Sequence, residues 1–151
     1  MNILLVEDND LDALILERTL KKLSPSAKIV RACDGLEALE ILTTDKLQDI
    51  PHPFFILLDI NMPRMNGHEF LDALRAKEEI SSNIVFMFTT SENPKDISRA
   101  YARNVSGYIV KPISSAGTRK VLGALQDLWD ICTPPICAMP SPDAPDLRQD
   151  S

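Results

Sequence analysis

Phe54-Phe55-Ile56-Leu57-Leu58-Asp59 decides the fold. Five apolar residues in succession, closed by an acid, describe a strand covered on both faces rather than an alternating half-exposed one. A second such run, Ile84-Val85-Phe86-Met87-Phe88, ends at Thr89. Outward from these two, apolar strand-like runs alternate with helical stretches along the chain. Ile3 to Val6 ends at Glu7-Asp8, Lys28 to Cys33 forms another strand, and Tyr108-Ile109-Val110 ends at Lys111-Pro112.

Between the strands the apolar spacing turns helical. Leu11 to Leu23 carries Ala13, Leu16, Leu20 and Leu23 on one stripe, with Leu14 and Ile15 widening it. Asn9 or Asp10 caps its start and Ser24-Pro25-Ser26 stops it. Asp34-Gly35 opens a second helix whose expected inner face is Leu36, Leu39 and Leu42. Thr44 to Pro53 is polar, holds two prolines and reads as a loop. Gly67 to Ala76 is a third helix, with Phe70, Leu71 and Leu74 inward. Pro94 suits the first turn of a fourth, running through Ile97, Ala100 and Tyr101. The last carries Val121, Leu122, Leu125, Leu128, Trp129 and Cys132 at helical spacing. Five β-then-α units in succession imply an α/β fold: a parallel sheet with helices on both faces and right-handed crossovers.

Composition fits that reading and excludes several classes. The chain has 151 residues and a net charge of -6, which argues against a nucleic-acid footprint. No apolar run has the length of a membrane span. The first residues lack the basic start and cleavage site of a signal peptide, so the expected location is cytoplasmic and no membrane is engaged. Cys33, Cys132 and Cys137 have no zinc-ligand spacing and are expected as free thiols. After Cys132, the residues Pro134, Pro135, Pro140, Pro142 and Pro145 interrupt a polar stretch. The division expected is therefore one folded domain over 1–132 and a proline-rich, disordered tail over 133–151.

In an open α/β sheet the ligand site lies beyond the carboxyl ends of the strands. Those ends here deliver Glu7 and Asp8, Asp59, Thr89, and Lys111. Clustered carboxylates repel one another, and a hard divalent cation relieves them; Mg²⁺ takes a few carboxylate oxygens and pairs with phosphoryl groups. A carboxylate beside such an ion can act as a nucleophile and become an aspartyl-phosphate. An ammonium and a hydroxyl can then neutralise and orient the transferring oxygens. Singly, each residue has a plainer reading. Glu7 and Asp8 could cap a helix, Asp59 could be a turn residue, Thr89 a strand end and Lys111 part of a solvated turn. Four strands ending on complementary groups is a poor fit to coincidence.

Four ordered blocks carry a family resemblance: Val6-Glu7-Asp8-Asn9; Leu57-Leu58-Asp59-Ile60-Asn61-Met62-Pro63 with Gly67; Phe88-Thr89-Thr90-Ser91; and Tyr108-Ile109-Val110-Lys111-Pro112. Over roughly residues 1–132 the chain resembles the receiver domains of two-component response regulators. The resemblance implies a (βα)5 flavodoxin-like receiver fold with a five-stranded parallel sheet in the order 2-1-3-4-5. It implies Asp59 as phosphoacceptor, with Glu7, Asp8, Asp59 and the Asn61 carbonyl around Mg²⁺. Thr89 and Lys111 would bind the phosphoryl oxygens. Tyr108 would be the aromatic switch, turning inward as Thr89 moves, and Asn61 and Ser91 would flank the phosphoryl group and tune its hydrolysis. The donor would be a histidine kinase or a histidine phosphotransfer protein, and the chain a stand-alone phosphoacceptor in a phosphorelay rather than an enzyme in the ordinary sense.

Thr89-Thr90-Ser91 with Asp96-Ile97 and Tyr101, and Leu128-Trp129 before prolines, is similar to single-domain regulators that partner phytochrome-type and other hybrid kinases. That similarity implies a homodimer through the fourth helix, fifth strand and fifth helix. Many members have two aspartates where this chain has Glu7-Asp8, a difference that bears on metal affinity. Other readings fit less well. A receiver-like scaffold that takes no phosphate would not need every one of these groups. An aspartate-nucleophile phosphatase of the haloacid-dehalogenase type wants an acid two residues after its nucleophile, where Asn61 stands. A flavodoxin-like cofactor binder would not place acids where phosphate sits. A transcription factor would need a helix-turn-helix domain after the receiver.

Overall fold

The computed structural model describes residues 1–135. Cys137 and most of the expected tail therefore lie outside the described residues. The elements run β1 (Asn2–Val6), α1 (Asp10–Leu23), β2 (Lys28–Ala32), α2 (Gly35–Thr43), β3 (Phe55–Leu58), α3 (Gly67–Ala76), β4 (Val85–Thr89), α4 (Pro94–Ala102), β5 (Gly107–Val110) and α5 (Ser115–Ile131). All strand pairs are parallel and the order is β2-β1-β3-β4-β5. The expected fold is thus the observed one.

Strand alternation splits the core in two. Leu4, Val6, Ile56, Leu58, Val85 and Met87 face α2, α3 and α4, meeting Leu42, Phe70, Leu74 and Ala100. Ile3, Leu5, Phe55, Leu57, Phe86 and Phe88 face α1 and α5, meeting Leu16, Leu20, Leu122 and Leu125. Both faces are covered, which is why β3 and β4 are buried at every position and apolar up to Thr89 at the end of β4.

Helix boundaries follow their caps. Asn9 accepts the Asp12 amide at the start of α1, and Asn66 and Glu69 form a reciprocal capping box on α3. Pro94 sits in the first turn of α4, behind Asn93 as N-cap. Four details differ from expectation. In α1 only Ala13, Leu16 and Leu20 are buried, while Leu14, Ile15 and Leu23 are about two-fifths exposed. In α2 the inner face is Ala38, Ile41 and Leu42, and Leu36 is exposed. Residues spaced only by threes drift around a helix of 3.6 residues per turn, so Leu36 leaves the face that Leu42 occupies. The loop from Thr44 to Pro53 contains a short 3-10 turn, Asp45–Asp49. At the end of α5, Cys132 is a cap residue and exposed rather than inward.

Candidate functional site

The strand register assembles the site. Val6 lies beside Leu58, Leu58 beside Met87, and Thr89 beside Val110. The next residue on each of β1, β3 and β5 therefore emerges at one sheet edge as Glu7, Asp59 and Lys111. Backbone bonds hold the junctions: the Asp59 amide to Val6 O at 3.0 Å, and the Lys111 amide to Thr89 O at 2.7 Å. The Arg31 side chain pins the first acidic turn, donating from Nε to Glu7 O at 3.0 Å and pairing with Asp10 at 2.8 Å.

Glu7, Asp8 and Asp59 each offer a carboxylate oxygen within 4.8 Å of the others. Glu7 and Asp59 are buried and Asp8 is exposed, so the cluster opens to solvent on one side. Lys111 Nζ reaches Glu7 Oε2 at 2.7 Å, Asp12 Oδ2 at 3.0 Å and Asp59 Oδ2 at 3.3 Å. Asp59 Oδ1 accepts the Ile60 amide at 2.8 Å, leaving its other oxygen toward the lysine. Behind it, Gly67 packs so close that a Cβ there would overlap the Asp59 carbonyl oxygen. Only glycine lets α3 begin against the end of β3.

Of the remaining expected residues, Asn61 is exposed in the β3–α3 loop. Thr89 is fully buried, and its hydroxyl accepts the Ser91 amide at 3.4 Å rather than bonding to Asp59. Tyr108 is half-buried, packs on the α3–α4 side of the core and donates its hydroxyl to Ser91 O at 2.8 Å. Two contacts were not foreseen. Asp12, in the first turn of α1, joins the lysine. His68, Asp96 and Ser91 form a hydrogen-bonded chain from α3 to the loop after β4.

Acids outnumber the cation, and the proton affinities show it. Burial, aided by the charge on Asp59, pushes Glu7 up to about 7 against the pull of the Lys111 hydrogen bond. Burial alone would lower Lys111, but its bonds to Glu7 and Asp12 and the charge on Asp59 raise it, so it stays an ammonium. The donor set is hard, anionic and oxygen-only, which suits Mg²⁺ or a similar divalent ion.

A pH dependence follows. Folded, Glu7 holds its proton to about 7; unfolded, it releases it near the ordinary 4.5. Between those values the folded state binds more protons, so raising the pH favours unfolding. Metal-free protein should lose about 3 kcal/mol of stability between roughly pH 5 and pH 8 from this group. Saturating Mg²⁺ should remove that loss, because the ion takes the place of the proton. Urea melts at several pH values with and without Mg²⁺ check this; a metal-free stability that rises over the interval contradicts it.

Comparison with known proteins agrees with this geometry. The response regulator receiver domain model matches residues 3–122. The probable methanogenesis regulatory protein FilR2 of Methanothrix harundinacea is 32% identical over 127 residues, covering 84% of this chain and 82% of that one. The crystal structure of a phosphorylated cyanobacterial phytochrome response regulator, RcpA, superposes with a TM-score of 0.78 at 27% identity, covering 88% of this chain and 96% of that one. The Mn²⁺-bound form of response regulator Rcp1 gives a TM-score of 0.76 at 28% identity, covering 88% and 97%. With the expected sheet order, the acid cluster and its lysine in place, the chain belongs to the response regulator receiver domain family.

Proposed function

We propose that this receiver accepts a phosphoryl group on Asp59 from the phosphohistidine of a histidine kinase or histidine phosphotransfer protein, in a Mg²⁺-dependent reaction. The observation that carries the proposal is Lys111 Nζ, 3.3 Å from Asp59 Oδ2 and also bonded to Glu7, beside an acid cluster with a solvent-open side. An Asp59 oxygen attacks phosphorus, the P–N bond breaks, and its electron pair leaves with the imidazole, which is then protonated. Glu7, Asp8 and Asp59, with the Asn61 carbonyl, would hold Mg²⁺, which when bound offsets charge on the phosphoryl oxygens. The relatives described as phosphorylated and as Mn²⁺-bound support this reading.

Lys111 supplies the fixed positive charge, and Thr89 supplies a hydroxyl if the loop after β4 moves toward the acceptor. Tyr108, already bonded to that loop, couples its position to β5. In this reading Asn61 and Ser91 flank the phosphoryl group and tune its hydrolysis. The unit that switches is residues 1–132. The α4–β5–α5 face exposes Tyr101, Val110, Leu128 and Ile131, an apolar set suited to a second protomer. Among the described residues no helix is long and apolar enough to cross a membrane. Incubation with acetyl phosphate and Mg²⁺ should add one phosphoryl mass to the intact protein, and chelation of the metal should prevent it. A chain that stays unmodified in the presence of Mg²⁺ and donor refutes the proposal.

A further inference from the structure

α4 is weakly anchored by apolar contact, since Ala100 is its one buried residue. Little burial means a small hydrophobic restoring force, so polar ties decide where the helix rests. Those ties run to α3. Asp72 pairs with Arg99 at 3.4 Å and with Arg103 at 2.6 Å, and the Arg75 guanidinium donates to the carbonyls of Arg103 and Asn104 at 2.8 and 3.1 Å. These lie toward the carboxyl end of α4, and the paired side chains are between about two-fifths and one-half exposed.

The amino-terminal end is held differently. His68, 4% exposed, places Nε2 at 3.0 Å from Asp96 Oδ1. The other Asp96 oxygen accepts the Ser91 hydroxyl at 2.6 Å, and Ser91 Oγ accepts the Asn93 amide at 3.2 Å. The Ser91 carbonyl accepts the Tyr108 hydroxyl at 2.8 Å. His68 Nδ1 is buried and has no hydrogen-bond partner among the described residues, so the ring's one directional tie is Asp96. His68 also follows Gly67, which is packed on the Asp59 carbonyl. The chain of bonds therefore starts one residue from the contact with Asp59 and ends on Tyr108. With its proton on Nε2 the ring donates that N–H to Asp96. The Ser91 and His68 hydrogen bonds, in that order, hold the Asp96 carboxyl below its ordinary range.

We propose that His68 and Asp96 are positioning residues: they fix the loop carrying Ser91 so that its carbonyl receives Tyr108 in the inward position. Contacts made only in one arrangement stabilise that arrangement, and by linkage they strengthen any ligand that prefers it. This rests on the receiver reading above, in which the phosphoryl group favours inward Tyr108. Severing the His68–Asp96 tie should then turn Tyr108 outward and weaken the site's hold on a phosphoryl group, without touching a residue that contacts it.

The test uses the full chain and beryllofluoride with Mg²⁺ as the phosphoryl mimic. His68→Leu and Asp96→Ala should each weaken beryllofluoride binding about 5–20-fold, while Mg²⁺ affinity measured alone stays unchanged. His68→Gln, whose amide donor reaches a position similar to Nε2, should restore most of the affinity. Fluorotyrosine NMR in a Tyr101→Phe background reports Tyr108 directly, and its resonance should shift in the two severed variants and return in His68→Gln. Wild-type affinity and an unshifted resonance in folded His68→Leu and Asp96→Ala overturn the proposal. So does a loss that His68→Gln fails to recover, which would mark His68 as packing only. A wild-type chain that binds no beryllofluoride would instead remove the receiver reading beneath it, so the two failures are distinct.

Discussion

Asp59→Asn should abolish phosphoryl uptake from acetyl phosphate while leaving the protein folded and, without metal, more stable. An amide oxygen can still accept the Ile60 amide, so the end of β3 keeps its local bond. What disappears is one negative charge from a cluster whose oxygens lie within 4.8 Å of each other. That charge contributes to the raised proton affinity of Glu7, so its removal should also bring Glu7 back toward the ordinary carboxylate range. A gain of about 1 kcal/mol in metal-free stability is the expected scale, as for relief of one close like-charge contact in a partly screened site. Mg²⁺ should bind more weakly to the variant and protect it less against urea. Intact-mass measurement and metal-free denaturation check both halves; uptake that survives the change means another residue is the acceptor.

Lys111→Met has the second large effect, and its signature is split. The ammonium is only 10% exposed and serves three acids at once. Without it the metal-free protein keeps buried carboxylates with no compensating cation, a change that typically costs about 3–5 kcal/mol. Protonation of Glu7 softens that cost at low pH, so the deficit should be larger near pH 8 than near pH 6. Phosphoryl uptake should slow by about 10²–10³-fold, the usual consequence of removing one fixed group from developing transition-state charge. Mg²⁺ should nevertheless bind more tightly, because the lysine and the ion compete for the same oxygens. Calorimetric Mg²⁺ titration beside a rate measurement separates these arms. Weaker Mg²⁺ binding would show that the lysine organises the acids rather than competes for them.

The fold was legible because its signals are redundant. Doubly covered strands must be apolar throughout, so Phe54–Leu58 and Ile84–Phe88 announced a two-faced parallel sheet before any helix was considered. The site was legible for a related reason: strand ends in such a sheet share one edge, and Glu7, Asp59 and Lys111 each follow the last residue of a strand. Helix faces were read less well. Leu36 and Leu23 are good helix formers, but a leucine at an exposed helical position looks the same in sequence as one in the core. Asp12 was missed because a first-turn acid has an adequate reason to be there without any partner. The His68–Asp96–Ser91–Tyr108 chain was hidden for a different reason. Its members are 28, 5 and 17 residues apart along the successive bonds, and only the packing of α3 against α4, together with the pairing of β4 and β5, closes the two long steps.

Polar groups thus fall into two kinds in this molecule. Those at strand ends are fixed by main-chain register and are visible one residue at a time. Those between helices depend on where a weakly buried helix settles, and α4 is that helix. An element held by few apolar contacts is the one a change of charge at the sheet edge can move.

The most direct test identifies the atom that takes the phosphoryl group. Wild-type protein treated with acetyl phosphate and Mg²⁺, reduced with borohydride and digested, should yield homoserine in place of aspartate at position 59, in the peptide spanning the end of β3. Homoserine at Asp8 or Asp12 instead, or none at all in protein whose intact mass shows the added phosphoryl group, would contradict the account.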